Sequence, residues 1–258
     1  MTIALIPARG GSTRIKRKNL IDVCGVPLVI WSVIQTRVSK KIDEVYVTTD
    51  DYLIEVACNR HGADIIRRPV YSDGTCSSVP FLHALKTIEA NGVEVDEIVI
   101  LFPTSPLRKP EDLDNMIEMR RRLNVDFVTP GIPMKEIYLF KNDSPYQDRF
   151  GTVKQDKGYT GKQVIYDKFW NYTKAQEGTF VGTRDYFFRE WSNSAETDLE
   201  QDTRPVDIKT TWNFYPVPEW QFFDIDYPED LEIVRVLMEN YILKGKGPKV
   251  YYDYKEGK

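Results

Sequence analysis

Ile3-Ala4-Leu5-Ile6-Pro7-Ala8-Arg9-Gly10-Gly11-Ser12-Thr13-Arg14-Ile15-Lys16-Arg17-Lys18-Asn19-Leu20 begins as a strand and continues as a glycine-rich, basic loop. Its first four residues are a continuous apolar run, the pattern of a strand covered on both faces. Gly10 and Gly11 let backbone N–H groups approach an anion with no Cβ in the way. Five cations, Arg9, Arg14, Lys16, Arg17 and Lys18, fall within residues 9–18 and supply the charge a triphosphate requires. The loop lacks the Gly-Lys-Ser/Thr of a Walker A sequence and the Gly-x-Gly-x-x-Gly of a dinucleotide turn. A plain basic surface patch is the competing explanation. Paired glycines at the end of a buried strand favour phosphate binding, because they are costly unless something approaches the backbone there.

Outward from this loop, strand-like and helix-like segments alternate, as in parallel βαβ units. Strands are predicted at residues 45–48, 63–66, 98–102 and 125–129, and again at 208–215. Helices are predicted from Pro27, through Ile54 and Ala57, from Ser77 to Ala90, from Pro110 and after Pro228. His61 and His83 fall within predicted helices and read as structural. The expectation is one α/β domain spanning residues 1–258, with a mostly parallel central sheet and helices on both faces. Residues 131–205 break the pattern and read as an inserted region of short strands and loops. The polar tail after Lys244 reads as loosely held.

With 41% hydrophobic and 29% charged residues, the composition is that of a globular protein with a sizeable core. The net charge of -4 is too mild to argue for a nucleic-acid or anionic-membrane partner, so an anionic ligand must meet local positive charge. Cys24, Cys58 and Cys76 have neither disulfide-framework nor zinc spacing, which predicts a reducing, cytoplasmic setting. The apolar stretch from Thr2 to Pro7 is too short for a signal segment, and no run reaches the ~18–20 apolar residues of a membrane span.

The opening loop resembles the N-terminal signature of the acylneuraminate cytidylyltransferase family, Ala-Arg-x-Gly-Ser-Lys-x-Ile/Leu-x-x-Lys-Asn-Leu. Ala8, Arg9, Gly11, Ser12, Ile15, Lys18, Asn19 and Leu20 match it. Thr13 stands where the pattern has Lys, with Arg14 and Lys16 as the candidates to carry that charge. Three more segments resemble the family in order: Arg67-Arg68-Pro69 with Ser72 to Ser78, Leu101-Phe102-Pro103-Thr104-Ser105-Pro106-Leu107-Arg108, and Asp224-Ile225-Asp226-Tyr227-Pro228-Glu229-Asp230-Leu231. Read as residues alone, Ser77 and Ser78 suit helix caps and an anion equally well. Thr104 and Ser105 between prolines read first as a rigid turn. In an extended segment, residues i and i+2 share a side, so Asp224 and Asp226 can both face one cation.

The resemblance implies a Rossmann-like fold and transfer of CMP from CTP to the hydroxyl of an acidic sugar, releasing pyrophosphate. It implies Lys18, Arg9 and Asp226 as catalytic residues. It places the nucleotide on Ala8, Arg9, Gly10, Gly11, Ser12, Lys18, Asn19, Arg68, Ser77 and Ser78. It puts the acceptor near Phe102, Thr104 and Ser105, and Mg²⁺ on Asp224 and Asp226. It also implies a homodimer, with residues 131–205 at the contact; the aromatics Trp170, Tyr172, Phe187, Phe188 and Trp191 fit an interface core there or ordinary packing. Phe102 replaces the family's Gln, and Glu177-Gly178 its Asn-Gly. These departures leave a phosphonate or another non-sialic acid open as acceptor, and also a catalytically silent nucleotide-binding subunit.

Overall fold

The computed structural model describes residues 1–72, 75–133, 139–141, 161–163, 173–175, 178–195 and 210–257. An eight-stranded central sheet organises them. Its strands are β1 (Thr2–Pro7), β2 (Glu44–Thr49), β3 (Asp64–Arg67), β4 (Glu97–Leu101), β5 (Phe127–Pro133), β6 (Thr173–Ala175), β7 (Thr179–Thr183) and β8 (Trp212–Pro216). The spatial order is β6-β5-β7-β4-β1-β2-β3, with β8 pairing β5. β1 runs parallel to β2 and to β4, and β2 runs parallel to β3. β7 is antiparallel to both of its neighbours, β4 and β5.

Seven helices accompany the sheet among the described residues: α1 (Leu28–Val38), α2 (Tyr52–Arg60), α3 (Ser78–Ala90), α4 (Asp112–Leu123), α5 (Arg184–Ala195), α6 (Pro228–Leu237) and α7 (Lys249–Glu256). Alternation along β1 divides the core in two. Ala4 and Ile6 pack toward α1, α2, α4 and α6. Ile3 and Leu5 pack toward Phe81, Leu85 and Ile88 of α3 and Phe187 and Trp191 of α5. Covering both faces is what makes the strands continuous apolar runs. Among the described residues, no helix is long and apolar enough to cross a membrane.

Two expectations change. Residues 179–195 are integral to the sheet domain: β7 inserts between β4 and β5, and Phe187 and Trp191 are only 5% and 6% exposed. Trp191 stacks on Phe81 at 5.1 Å, so these rings fill the chain's own core. Trp170, Tyr172 and Glu177 lie outside the described residues. The tail is not loose either. It forms α7, whose Tyr251 is fully buried against Trp31 and whose Tyr254 Oη donates to Asp114 at 2.7 Å.

The topology dictates where a ligand can sit. The chain leaves β1 outward to β2 and β3, then crosses back to β4 on the other side of β1. Loops leaving the carboxyl ends of β1 and β4 therefore diverge, and the crevice between them is the switch point where open α/β sheets bind ligands.

Candidate active site

A cleft of about 450 Å³ opens at that switch point. One wall is the loop after β1, contributing Arg9, Ser12, Arg14, Lys18 and Asn19. The facing wall is Phe102, Pro103 and Thr104, from the end of β4. Asp50 after β2, Arg68 and Tyr71 after β3, and Ser77 at the start of α3 complete the rim, with Asp226 between the two walls.

The basic loop is held by its own backbone. Ala8 extends β1 by donating to Thr48 O at 3.0 Å, and the Asn19 amide donates to Arg9 O at 2.9 Å. Ile15, 8% exposed, pins the loop to the core, and Lys18–Leu20 closes as a 3₁₀ turn. Gly10 donates its N–H to Asp50 Oδ1 at 2.8 Å. A Cβ at Gly10 would lie 2.5 Å from Asp51 Oδ2 and 2.7 Å from Asp51 Cβ, whereas one at Gly11 would meet nothing within 4 Å. The two glycines thus differ in role. Gly10 is required by packing, and its amide is occupied; Gly11 leaves an open approach to the backbone.

The acidic segment closes the site from the far end of the chain. Ile225, fully buried, donates its N–H to Thr104 O at 2.9 Å and accepts Lys18 Nζ on its carbonyl at 2.6 Å. That clamp brings Asp226 Oδ1 to 3.5 Å from Lys18 Nζ and 3.1 Å from Arg14. The Arg14 guanidinium also lies 5.2 Å over the Tyr227 ring. Arg14 therefore lines the cleft beside Asp226, while Lys16 is exposed and outside the lining. Across the cleft, Arg68 rests 5.7 Å from the Tyr71 ring, with its Nε enclosed and lacking a hydrogen-bond partner. Burial pushes the Arg68 guanidinium below its ordinary pKa, with Asp50 opposing. An enclosed cation with an unmet donor is suited to an anionic ligand.

Beneath the facing wall, Arg108 is 4% exposed and braces the loop from inside. It donates to Phe102 O at 2.9 Å, Gly178 O at 2.6 Å, Thr179 Oγ1 at 2.6 Å and Gln35 Oε1 at 3.1 Å. Burial among these neutral acceptors pushes its guanidinium down to about 10.

Several residues expected at the site are placed differently. Ser105 is 1% exposed and spends its hydroxyl on Asp224 Oδ1 at 2.8 Å, so it orients the acidic segment instead of facing the cleft. Asp224 is turned to that serine, and of the two carboxylates Asp226 is the one that lines the cleft. Ala8 is fully buried, and Ser78 is 8% exposed against Cys76. Ser77 sits at the N-cap of α3 without a side-chain cap bond, and its hydroxyl is exposed at the cleft. Asp50 and Tyr71 were not anticipated. The only sequence signal for Asp50 was its position at the carboxyl end of a parallel strand.

Carboxylate count limits how a metal could be held. Among the described residues, no three His, Cys, Asp or Glu side chains converge as a metal-binding group. A hard dication that draws most of its ligands from phosphate oxygens and water needs only one or two carboxylates, and Asp226, which lines the cleft, fits that need.

The cytidylyltransferase family model matches residues 3–212, which contain both walls of this cleft. The chain belongs to the cytidylyltransferase family. It is a CTP-dependent nucleotidyltransferase, of a family that generally uses a divalent metal. It is 36% identical to a pseudaminic acid cytidylyltransferase of Campylobacter jejuni, over 91% of this chain and 95% of that one. It is 26% identical to a 3-deoxy-manno-octulosonate cytidylyltransferase of Thermodesulfovibrio yellowstonii, over 93% of this chain and 99% of that one. Among solved structures, a CMP:2-keto-3-deoxy-manno-octonic acid synthetase complexed with CTP superposes with a TM-score of 0.65 and 22% identity. That alignment covers 93% of this chain and 99% of the other, and it shows the shared fold.

Proposed function

We propose that this cytidylyltransferase joins CMP to the hydroxyl of a nonulosonic-type sugar acid, releasing pyrophosphate. The observation that carries this reading is the convergence of Arg14, Lys18 and Arg68 with Asp226 in one cleft at the switch point. The names of the relatives, pseudaminic acid and 3-deoxy-manno-octulosonate cytidylyltransferases, support an acidic sugar as acceptor.

In this reading, CTP lies along the loop after β1. Arg9, Lys18 and Arg14 neutralise its phosphates, the open backbone at Gly11 and the Ser12 hydroxyl approach them, and Arg68 finds the acceptor its Nε lacks. The acceptor lies against Phe102 and Thr104. Its hydroxyl oxygen attacks the α-phosphorus in line, one P–O bond forms as the bond to the leaving pyrophosphate breaks, and the proton passes from the attacking oxygen to solvent water. Rate enhancement comes from holding two anions in attack geometry and from cations aimed at the charge on the leaving group. Asp226 and Asp224 would hold Mg²⁺, which supplies Lewis-acid stabilisation of phosphate oxygens when bound. Among the described residues no histidine lines the cleft; its carboxylates are Asp50 and Asp226. The same reading includes a homodimer working in the cytoplasm, with residues of the 131–205 stretch outside the sheet contributing to the contact.

The test is pyrophosphate release with each of the four nucleoside triphosphates against a panel of sialic, legionaminic, pseudaminic and ulosonic acids and simple phosphonates. Turnover with CTP and one sugar acid is expected. Turnover only with a phosphonate, or CTP binding with no turnover on any acid, overturns the acceptor assignment.

A further inference from the structure

We propose that Tyr251, on α7, is a positioning residue for the acceptor side of the cleft, acting through the loop from Phe102 to Arg108. Three carbonyls of that loop are bound from beneath by a buried network. Tyr251 Oη donates to Arg108 O at 2.5 Å and accepts from Gln35 Nε2 at 3.1 Å. Gln35 Nε2 also donates to Pro106 O at 2.8 Å, while Gln35 Oε1 takes the Arg108 guanidinium. Arg108 in turn holds Phe102 O and the Gly178 O beside it. Tyr251 is fully buried, and Gln35 and Arg108 are 2% and 4% exposed, so water cannot replace a lost partner at these positions.

The upper side of the same loop is the cleft wall. Phe102, Pro103 and Thr104 face the cavity, Thr104 O receives Ile225 N–H, and Ser105 holds Asp224. A shift of the loop therefore reaches both the acceptor wall and the segment that carries Asp226. The helix that supplies the tyrosine is itself anchored, by Tyr254 on Asp114 and by Lys255 Nζ on Arg37 O at 2.7 Å. Within this network only Tyr251 and its helix lie beyond residue 212, where the family match ends.

The proposal rests on the reading that the Phe102–Thr104 wall receives the acceptor, so the experiment includes a direct probe of that wall. Steady-state kinetics are measured for Tyr251→Phe, which keeps the ring against Trp31 and removes only the hydroxyl, and for Thr104→Ala. Tyr251→Phe should raise the acceptor KM by roughly tenfold and lower kcat through the Asp226 segment, while the CTP KM stays within about twofold because Arg9, Arg14 and Arg68 lie outside the network. Gln35→Leu removes a second donor to the same loop, together with its bonds to Tyr251 Oη and the Arg108 guanidinium, and should give the same acceptor-selective loss, including in the event that Tyr251→Phe does not fold. If Thr104→Ala raises the acceptor KM and neither network variant does, the wall assignment stands and the positioning role of Tyr251 is refuted. If none of the three changes the acceptor KM, the wall assignment itself fails. Equal loss for both substrates, in proportion to the unfolded fraction, reduces Tyr251 to a packing residue and overturns the proposal.

Discussion

Replacing each of the two adjacent glycines by alanine should separate folding from phosphate binding. At Gly10 the new methyl would stand 2.5 Å from Asp51 Oδ2 and 2.7 Å from its Cβ, so the whole Asp51 residue must move. Asp51 caps α2 by accepting Leu53 N–H at 2.7 Å and Ile54 N–H at 3.2 Å, and its neighbour Asp50 holds the Gly10 amide. Overpacking of this kind costs about 1–3 kcal/mol and a lost cap about 1 kcal/mol, together about 2–4 kcal/mol. For a chain of this size that corresponds to a fall in Tm of roughly 5–15 °C. At Gly11 the methyl meets nothing within 4 Å, so the fold should be unaffected. Restricting the unfolded chain adds stability of about 0.4–1 kcal/mol. The same methyl stands in the open approach to the backbone and should weaken CTP binding by roughly tenfold if phosphate oxygens lie there. Thermal melts with and without CTP, together with titration calorimetry, read both effects. A Gly10→Ala protein that melts within about 2 °C of the parent would refute the packing argument. A Gly11→Ala protein that binds CTP normally would refute the approach of phosphate at that residue.

Other perturbations follow from the same geometry. Lys18→Met strips one of the two ion partners from Asp226 and the donor from Ile225 O; kcat should fall roughly 10²–10³-fold in a pyrophosphate-release assay, and unchanged turnover would remove Lys18 from the machinery. Arg14→Ala, at a half-exposed side chain, should leave the melting temperature close to the parent's while raising the CTP KM by about tenfold; no change in KM would return the vacant charge at position 13 to another cation. Asp112, 5% exposed, is raised to about 6 chiefly by burial, against opposing bonds from Lys109 N–H and Gln221. Its neutral form is thus favoured in the native state, so its contribution to stability is full below the unfolded carboxylate range and is lost as pH rises through about 6. Asp112→Asn should abolish that fall, seen as a flatter Tm between about pH 4 and 7 in buffered melts; a persisting slope would assign it to another group.

The parts legible in the sequence were those where many residues carry one signal. Strands at the sheet centre are covered on both faces, and their apolar runs say so without knowledge of the fold. The basic loop was visible because glycines and cations concentrate in it. α7 was missed because Lys249-Val250-Tyr251-Tyr252-Asp253-Tyr254-Lys255 buries one ring completely and shows no apolar stripe. β7 and α5 were read as insertion because the strand that returns antiparallel beside β4 follows a long run of sequence with no apolar periodicity. At the site, motif matching found the right segments but not the direction of each side chain. Ser105 and Asp224 turn to each other, and Gly10 spends its amide on Asp50. Asp50 and Tyr71 are single residues at strand ends, brought to the cleft by topology, and nothing local distinguishes them.

The hydrogen bond from Lys18 to the carbonyl of Ile225 joins residues 207 positions apart. During synthesis on the ribosome, the strand and loop of residues 2–20 are made long before the segment that fixes the lysine and presents Asp226. An unfinished chain holds the basic loop without its closing carboxylate. Competence to use a nucleotide is therefore gained only once residue 226 has been made and its segment docks on the loop after β1.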